Sequence, residues 1–142
     1  MTDLWNGAPW SPRAWQRDAL PVIIENLKAG RRGIVSATMG SGKSILQTAL
    51  VAAALPKAGD RAIVVTAPRQ ALVGQLAATM RTWVGDETVG AFYADKKQAD
   101  RPVVIACTAS VTKLRQRLEE DGRRVALLIC DEAHGTQGAT LQ

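Results

Sequence analysis

The chain has 142 residues, 46% of them hydrophobic, and a formal net charge of +5. That length suits one domain, and the apolar content excludes a disordered chain. No apolar run approaches the roughly 20 residues that span a bilayer. The opening MTDLWNGAPW has neither a basic region nor a long apolar one, so it does not read as a secretory signal. Cys107 and Cys130 each sit in an apolar run. They read as buried free thiols, and a cytoplasmic location is expected. The positive charge permits a polyanionic partner without identifying one.

Residues 1–10 read as irregular and carry Trp5 and Trp10. Ser11-Pro12 reads as a helix start, with Ser as cap and Pro at the first helical position. The helix should run to about Lys28, kinked or split at Pro21. Gly33 to Ser36 is a short apolar run, and Ile45, Leu46, Ala49, Leu50, Ala53 and Ala54 recur at helical spacing. Between them lies ATMGSGKS, Ala37 to Ser44. Strand, glycine loop and helix in that order wrap a phosphate chain, because loop N–H groups and the positive end of the helix converge on it. Gly40 and Gly42, with Ser41 between them, let the backbone come close where a Cβ would block it. Lys43 can then reach the β- and γ-phosphates, and the Ser44 hydroxyl can ligate Mg²⁺.

Pro56 to Asp60 reads as a turn. Arg61 to Thr66 is a nearly continuous apolar strand, which suits a parallel sheet buried on both faces. Pro68 ends it. Arg69 to Trp83 reads as an amphipathic helix with Leu72, Leu76, Met80 and Trp83 on one face. Thr88 to Tyr93 reads as a short strand, and Ala94 to Arg101 as an exposed loop with Lys96-Lys97 at its solvated tip. Pro102 to Cys107 is another buried strand. Ser110 then caps a helix carrying Val111, Leu114 and Leu118, which Gly122 ends. Val125 to Cys130 is a strongly apolar strand that runs into Asp131-Glu132-Ala133-His134. Acids placed there meet the sheet edge where the phosphate loop opens. Asp131 can hold Mg²⁺ through water, and Glu132 can orient and polarise an attacking water. His134 has no His or Cys partner at metal-ligand spacing. Arg31-Arg32 and Arg123-Arg124 precede strands, at the opposite edge, and read as solvated strand ends rather than ligand contacts.

The glycine loop and the DEAH string, in this order and context, resemble the first RecA-like lobe of superfamily 2 DEAD/DEAH-type helicases and translocases. Within that superfamily the chain looks like the restriction-subunit and DNA-repair helicase group. The resemblance runs from about Pro12 to His134. Ala37 stands where many phosphate loops open with Gly, and Ala often opens the loop in this superfamily. The resemblance implies an α/β P-loop NTPase fold, a mostly parallel sheet flanked by helices. It also implies ATP and Mg²⁺ as cofactors, with Lys43, Asp131 and Glu132 as the catalytic set. Arg13-Ala14-Trp15-Gln16 resembles the adenine-sensing element. Gln16 would pair with the base and Arg13 would stack on it; an ordinary packing helix is the alternative. Thr66 to Leu72 resembles the first nucleic-acid motif, which implies backbone contacts from Thr66 and Arg69; for Arg69 a solvated helix start is the alternative. Thr108-Ala109-Ser110 resembles the later backbone-contact motif, with Thr108 as the contact and a simple helix cap as the alternative. His134 would bridge the nucleotide and nucleic-acid sites.

Relatives carry a Ser-Ala-Thr motif after DEAH and a second lobe with arginine fingers, which can be worth about 10³–10⁵ in rate. No Ser follows Ser110 here and no Arg follows Arg124. Residues 1–142 are therefore expected to form one N-terminal ATP-binding lobe, incomplete after DEAH, that works with a second RecA-like lobe or a partner chain. The nucleic acid is expected to be DNA ahead of RNA, with no membrane partner. Without the strand that carries the Ser-Ala-Thr motif, a hydrophobic strand edge would be open to self-association. The competing expectation is a catalytically inactive remnant or decoy lobe that binds nucleotide or nucleic acid without turnover.

Overall fold

Apolar runs expected as buried strands pair directly with one another. The computed structural model describes residue 5 and residues 7–29, 43–94 and 96–130. Within them, β1 (Ala62–Ala67), β2 (Val89–Tyr93), β3 (Lys96–Lys97), β4 (Val103–Cys107) and β5 (Val125–Cys130) form one sheet in the order β3-β2-β4-β1-β5. β1 pairs in parallel with β4 and with β5, and β2 in parallel with β4; only β3 runs antiparallel, against β2. The mostly parallel α/β architecture is thus as expected.

Four α-helices flank this sheet: α1 (Ala14–Lys28), α2 (Lys43–Ala58), α3 (Gln70–Val84) and α4 (Val111–Glu120). A strand sends successive side chains to opposite faces, and the core divides accordingly. Ile63, Val65 and Ala67 of β1 pack with Leu20, Leu50, Val73 and Met80 from α1, α2 and α3. Ala62 and Val64 face the other way, against Leu114 and Leu118 of α4. β1 and β4 are buried along their whole length, as runs covered on both faces must be.

Local expectations change in five places. α1 begins at Ala14 with Arg13 as its cap residue, and it continues through Pro21. The ring removes one backbone bond, but Leu20 and Ile23 on either side are buried, and their burial holds the helix together. α2 likewise runs past Pro56 to Ala58. Its end is capped by Arg61, whose guanidinium donates to the carbonyls of Lys57 at 2.8 Å and Ala58 at 3.1 Å. The buried stripe of α3 is Val73, Leu76, Ala77 and Met80, with Leu72 and Trp83 only partly covered. Lys96-Lys97 is exposed as expected, but it is a short edge strand rather than a loop tip, with each ammonium over a ring. Arg123 is not a solvated strand end; it hydrogen-bonds three backbone carbonyls. Arg31 and Arg32 lie outside the described residues.

Trp5 and Trp10 are held by aromatic packing. Trp83 at the end of α3 meets Trp5 at 5.8 Å between ring centroids and Trp10, edge-on, at 6.1 Å. Cys107 and Cys130 are both free thiols, the first buried and the second partly so. Among the described residues no helix is long and apolar enough to cross a membrane.

Candidate nucleotide and nucleic-acid site

Because β1, β2, β4 and β5 run in the same direction, their carboxyl ends share one edge of the sheet. Register makes three of those ends level: Thr66 of β1 pairs with Ala106 of β4 on one side and Cys130 of β5 on the other. Past that line the chain runs into Pro68-Arg69, Thr108 and Asp131 respectively. Open α/β sheets bind ligands at this edge, where loops can approach a ligand and helix N-termini point outward.

Of the expected nucleic-acid contacts, Arg69 and Thr108 are exposed, whereas Thr66 is buried inside the end of β1. Arg69 is the cap residue of α3, with extended backbone (φ −131°, ψ 147°), and its carbonyl accepts from the N–H of Val73 at 3.1 Å. Arg69 therefore stands at a helix N-terminus. Thr108 opens a 3₁₀ turn, Thr108–Ser110. Its hydroxyl donates to the Ala67 carbonyl at 3.1 Å, and the Cys107 thiol lies 3.7 Å from the Pro68 carbonyl. These contacts tie the loop after β4 to the loop after β1. Their partners are about forty residues apart in sequence, so no local signal announced them. Ser110 takes the cap position of α4 without a side-chain capping bond.

At the adenine-sensing element, Gln16 is almost fully buried, at 1% exposure, and its Oε1 accepts from the Arg13 N–H at 2.8 Å. A carboxamide at the third helical position that reaches back to the cap residue is half of a capping box. It fixes the start of α1 and orients Gln16. Arg13 itself is exposed. The contact between the two residues is through the Arg13 backbone and not its guanidinium. Gln16 is thus an inward, hydrogen-bonded residue of α1 rather than a surface one.

For the phosphate loop, α2 is described from Lys43, the residue that follows Gly42 in sequence. Gly40, Ser41 and Gly42 lie outside the described residues, as do the side chains of Lys43 and Ser44. Asp131, Glu132 and His134 also lie outside them. Two apolar grooves are lined by described residues, and neither contains a candidate contact. One runs between α1, α2 and β5, past Ile24, Leu50 and Ala126; the other runs between α4 and β5, past Val64, Leu118 and Leu128. Among the described residues no cluster of His, Cys, Asp and Glu could hold a metal.

Residues 10–142 match the family model for the type III restriction enzyme, res subunit. The chain belongs to that family. No curated protein matches it significantly. Among solved structures it is similar to the UvsW helicase from bacteriophage T4, with a TM-score of 0.68 at 22% identity, over 88% of this chain and 44% of that one. The chain therefore spans less than half the length of that helicase chain. At this identity the likeness is one of fold. With the family match, it makes this res-subunit-family chain a first RecA-like lobe of superfamily 2.

Proposed function

We propose that the chain is the ATP-binding lobe of a nucleic-acid-dependent ATPase, which couples hydrolysis to remodelling of DNA, or RNA, when a second lobe completes it. One observation carries the reading: the carboxyl ends of β1, β4 and β5 are level, so one sheet edge collects the chain just before Arg69, Thr108 and Asp131. The helix α2, which follows the glycine loop in sequence, supports the nucleotide half.

The residues fit Mg-ATP by their chemistry. Backbone N–H groups of Gly40 to Ser44 would hold the phosphates, with the N-terminus of α2 behind them. Lys43 would reach the β- and γ-phosphates, and Ser44 and Asp131 would hold the metal. Bound Mg²⁺ would supply charge neutralisation on the phosphates. Glu132 would orient the attacking water, and His134 would relay the state of that site to the strand-binding residues. Arg13 and Gln16 would contact the base. Opposite, Arg69 and the N-terminus of α3 would meet a nucleic-acid phosphate. Thr66 and Thr108 would frame that contact, Thr108 through its bond to Ala67. The domain reading is one lobe over 1–142, which a second lobe, or a partner chain, supplies with arginine fingers.

ATP turnover by the purified protein, with and without single- and double-stranded DNA and RNA, tests this. The expected result for this chain alone is binding of Mg-ATP that Lys43→Ala abolishes, with slow turnover. Polynucleotide-stimulated turnover that Glu132→Gln removes would mean that a second copy supplies the arginines, and would rule out a decoy lobe. Unchanged ATP affinity in Lys43→Ala would sink the nucleotide reading. Tight binding without turnover under every condition would mean half a motor whose second lobe must be supplied.

A further inference from the structure

The β2–β3 hairpin lies at the same carboxyl edge as Arg69 and Thr108, and no motif predicted a role for it. β2 runs parallel to β4, so its last residue, Tyr93, is at that edge; β3 turns back from there, with Lys96 opposite Tyr93 and Lys97 opposite Phe92. The turn between them is built at some cost. Ala94 has φ +47°, and it is the only non-glycine residue with positive φ among those described. Lys96 Nζ stands 5.5 Å from the centre of the Tyr93 ring, and Lys97 Nζ stands 4.6 Å from that of Phe92. Both lysines are exposed, and among the described residues neither has a carboxylate partner.

The two lysines are on opposite faces. Phe92 belongs to the core under α4, whereas Tyr93, half-buried, packs against the core under α3. Lys96 is thus the cation on the face of α3, the helix that Arg69 caps, and it is also the one nearer the sheet edge. Lysines on an edge strand keep it from pairing with another sheet, but that role needs only charge and exposure. A ring beneath the ammonium does more. It limits the rotamers of a flexible stem and so lowers the entropy lost when the ammonium meets an anion.

We propose that Lys96, positioned by Tyr93, is a phosphate contact for a single strand of nucleic acid that extends from Arg69 across the carboxyl edge. The proposal rests on the nucleic-acid half of the function proposed above. Lys96 supplies a point charge to the backbone and no base recognition, so the contact is independent of sequence. Tyr93 is a positioning residue.

The test is the salt dependence of binding to a fluorescein-labelled oligothymidylate, read by anisotropy. Each phosphate contact adds about 0.7 to the slope of log K against log salt for a single strand. Lys96→Gln should lower the slope by about that amount, whereas Lys97→Gln, the same charge change on the other face, should not. Tyr93→Leu should weaken binding, and Tyr93→Phe, which keeps the ring, should recover most of the loss. Lys96 is exposed, so its substitution leaves the core intact. Equal slopes in the Lys96 variant and the unsubstituted chain would overturn the proposal. An equal fall in both lysine variants would also overturn it, since the effect would then be diffuse charge. Failure of the unsubstituted chain to bind any polynucleotide would overturn the nucleic-acid reading itself, and this inference with it.

Discussion

Arg123 joins three strands through one guanidinium. Its guanidinium donates to the carbonyls of Ala99 at 2.6 Å, Arg101 at 3.1 Å and Asp60 at 3.3 Å. These acceptors lie just before β4 and β1, while Arg123 itself precedes β5. One planar fork therefore ties together the amino ends of three strands. Arg123→Ala should cost about 1–3 kcal/mol, because three carbonyls lose a charged donor. Arg123→Lys should recover little of it, because an ammonium cannot reproduce the fork. Urea denaturation with both variants checks this; equal stability of the Ala variant and the parent would refute it. Gly90 sets a second constraint. A Cβ there would come within 2.5 Å of the Gln98 carbonyl oxygen and 2.7 Å of the Arg101 Cγ. The first of these is backbone and cannot swing aside. Gly90→Ala should therefore destabilise by roughly 1–3 kcal/mol, as overpacking does, and thermal melting would reveal it.

Among the elements, α1 carries an avoidable penalty. Pro21 is exposed in the helix interior, and no buried contact requires its ring. Pro21→Ala should raise the denaturation midpoint, by less than the roughly 3 kcal/mol that separates the two residues in a helix, since the more flexible unfolded chain offsets part of the gain. A lowered midpoint would mean that the helix needs the bend. The expected break at Pro21 did not occur for the same physical reason: propensity is weak beside the burial of Leu20 and Ile23. Strands β1, β4 and β5 were legible to within a residue, because a continuous apolar run bounded by polar residues has few other ways to be buried. β3 was not. Two adjacent lysines carry no periodicity, and only pairing with β2 makes them a strand. The buried Ala99 in the same segment was missed likewise, since its cover comes from elements distant in sequence.

At the scale of the molecule, binding should be visible as stability. A ligand held only by the folded lobe stabilises it by about 2.7 kcal/mol at one hundred times its Kd. Saturating Mg-ATP should therefore raise the Tm of the parent and leave that of Lys43→Ala unmoved; equal shifts in both would place nucleotide binding elsewhere. The family was legible. Glycine loops, strand-terminal acids and cap residues are local signals, and the family match over residues 10–142 agrees with the family that they resemble. The inner ties of the candidate site were not legible. Thr108 bonds Ala67, and Gln16 reaches back to Arg13 from inside the protein. The first depends on a register between strands that no short window contains.

Most element types, the parallel character of the sheet and the family followed from the chain alone. Each rests on spacing within a few residues: apolar periodicity, turn residues and loop composition. The order β3-β2-β4-β1-β5, the level ends of β1, β4 and β5, the Arg123 tie and the side on which Lys96 stands came only with the tertiary structure. Those features join residues far apart in sequence, and their free energy exists only once both partners are in place.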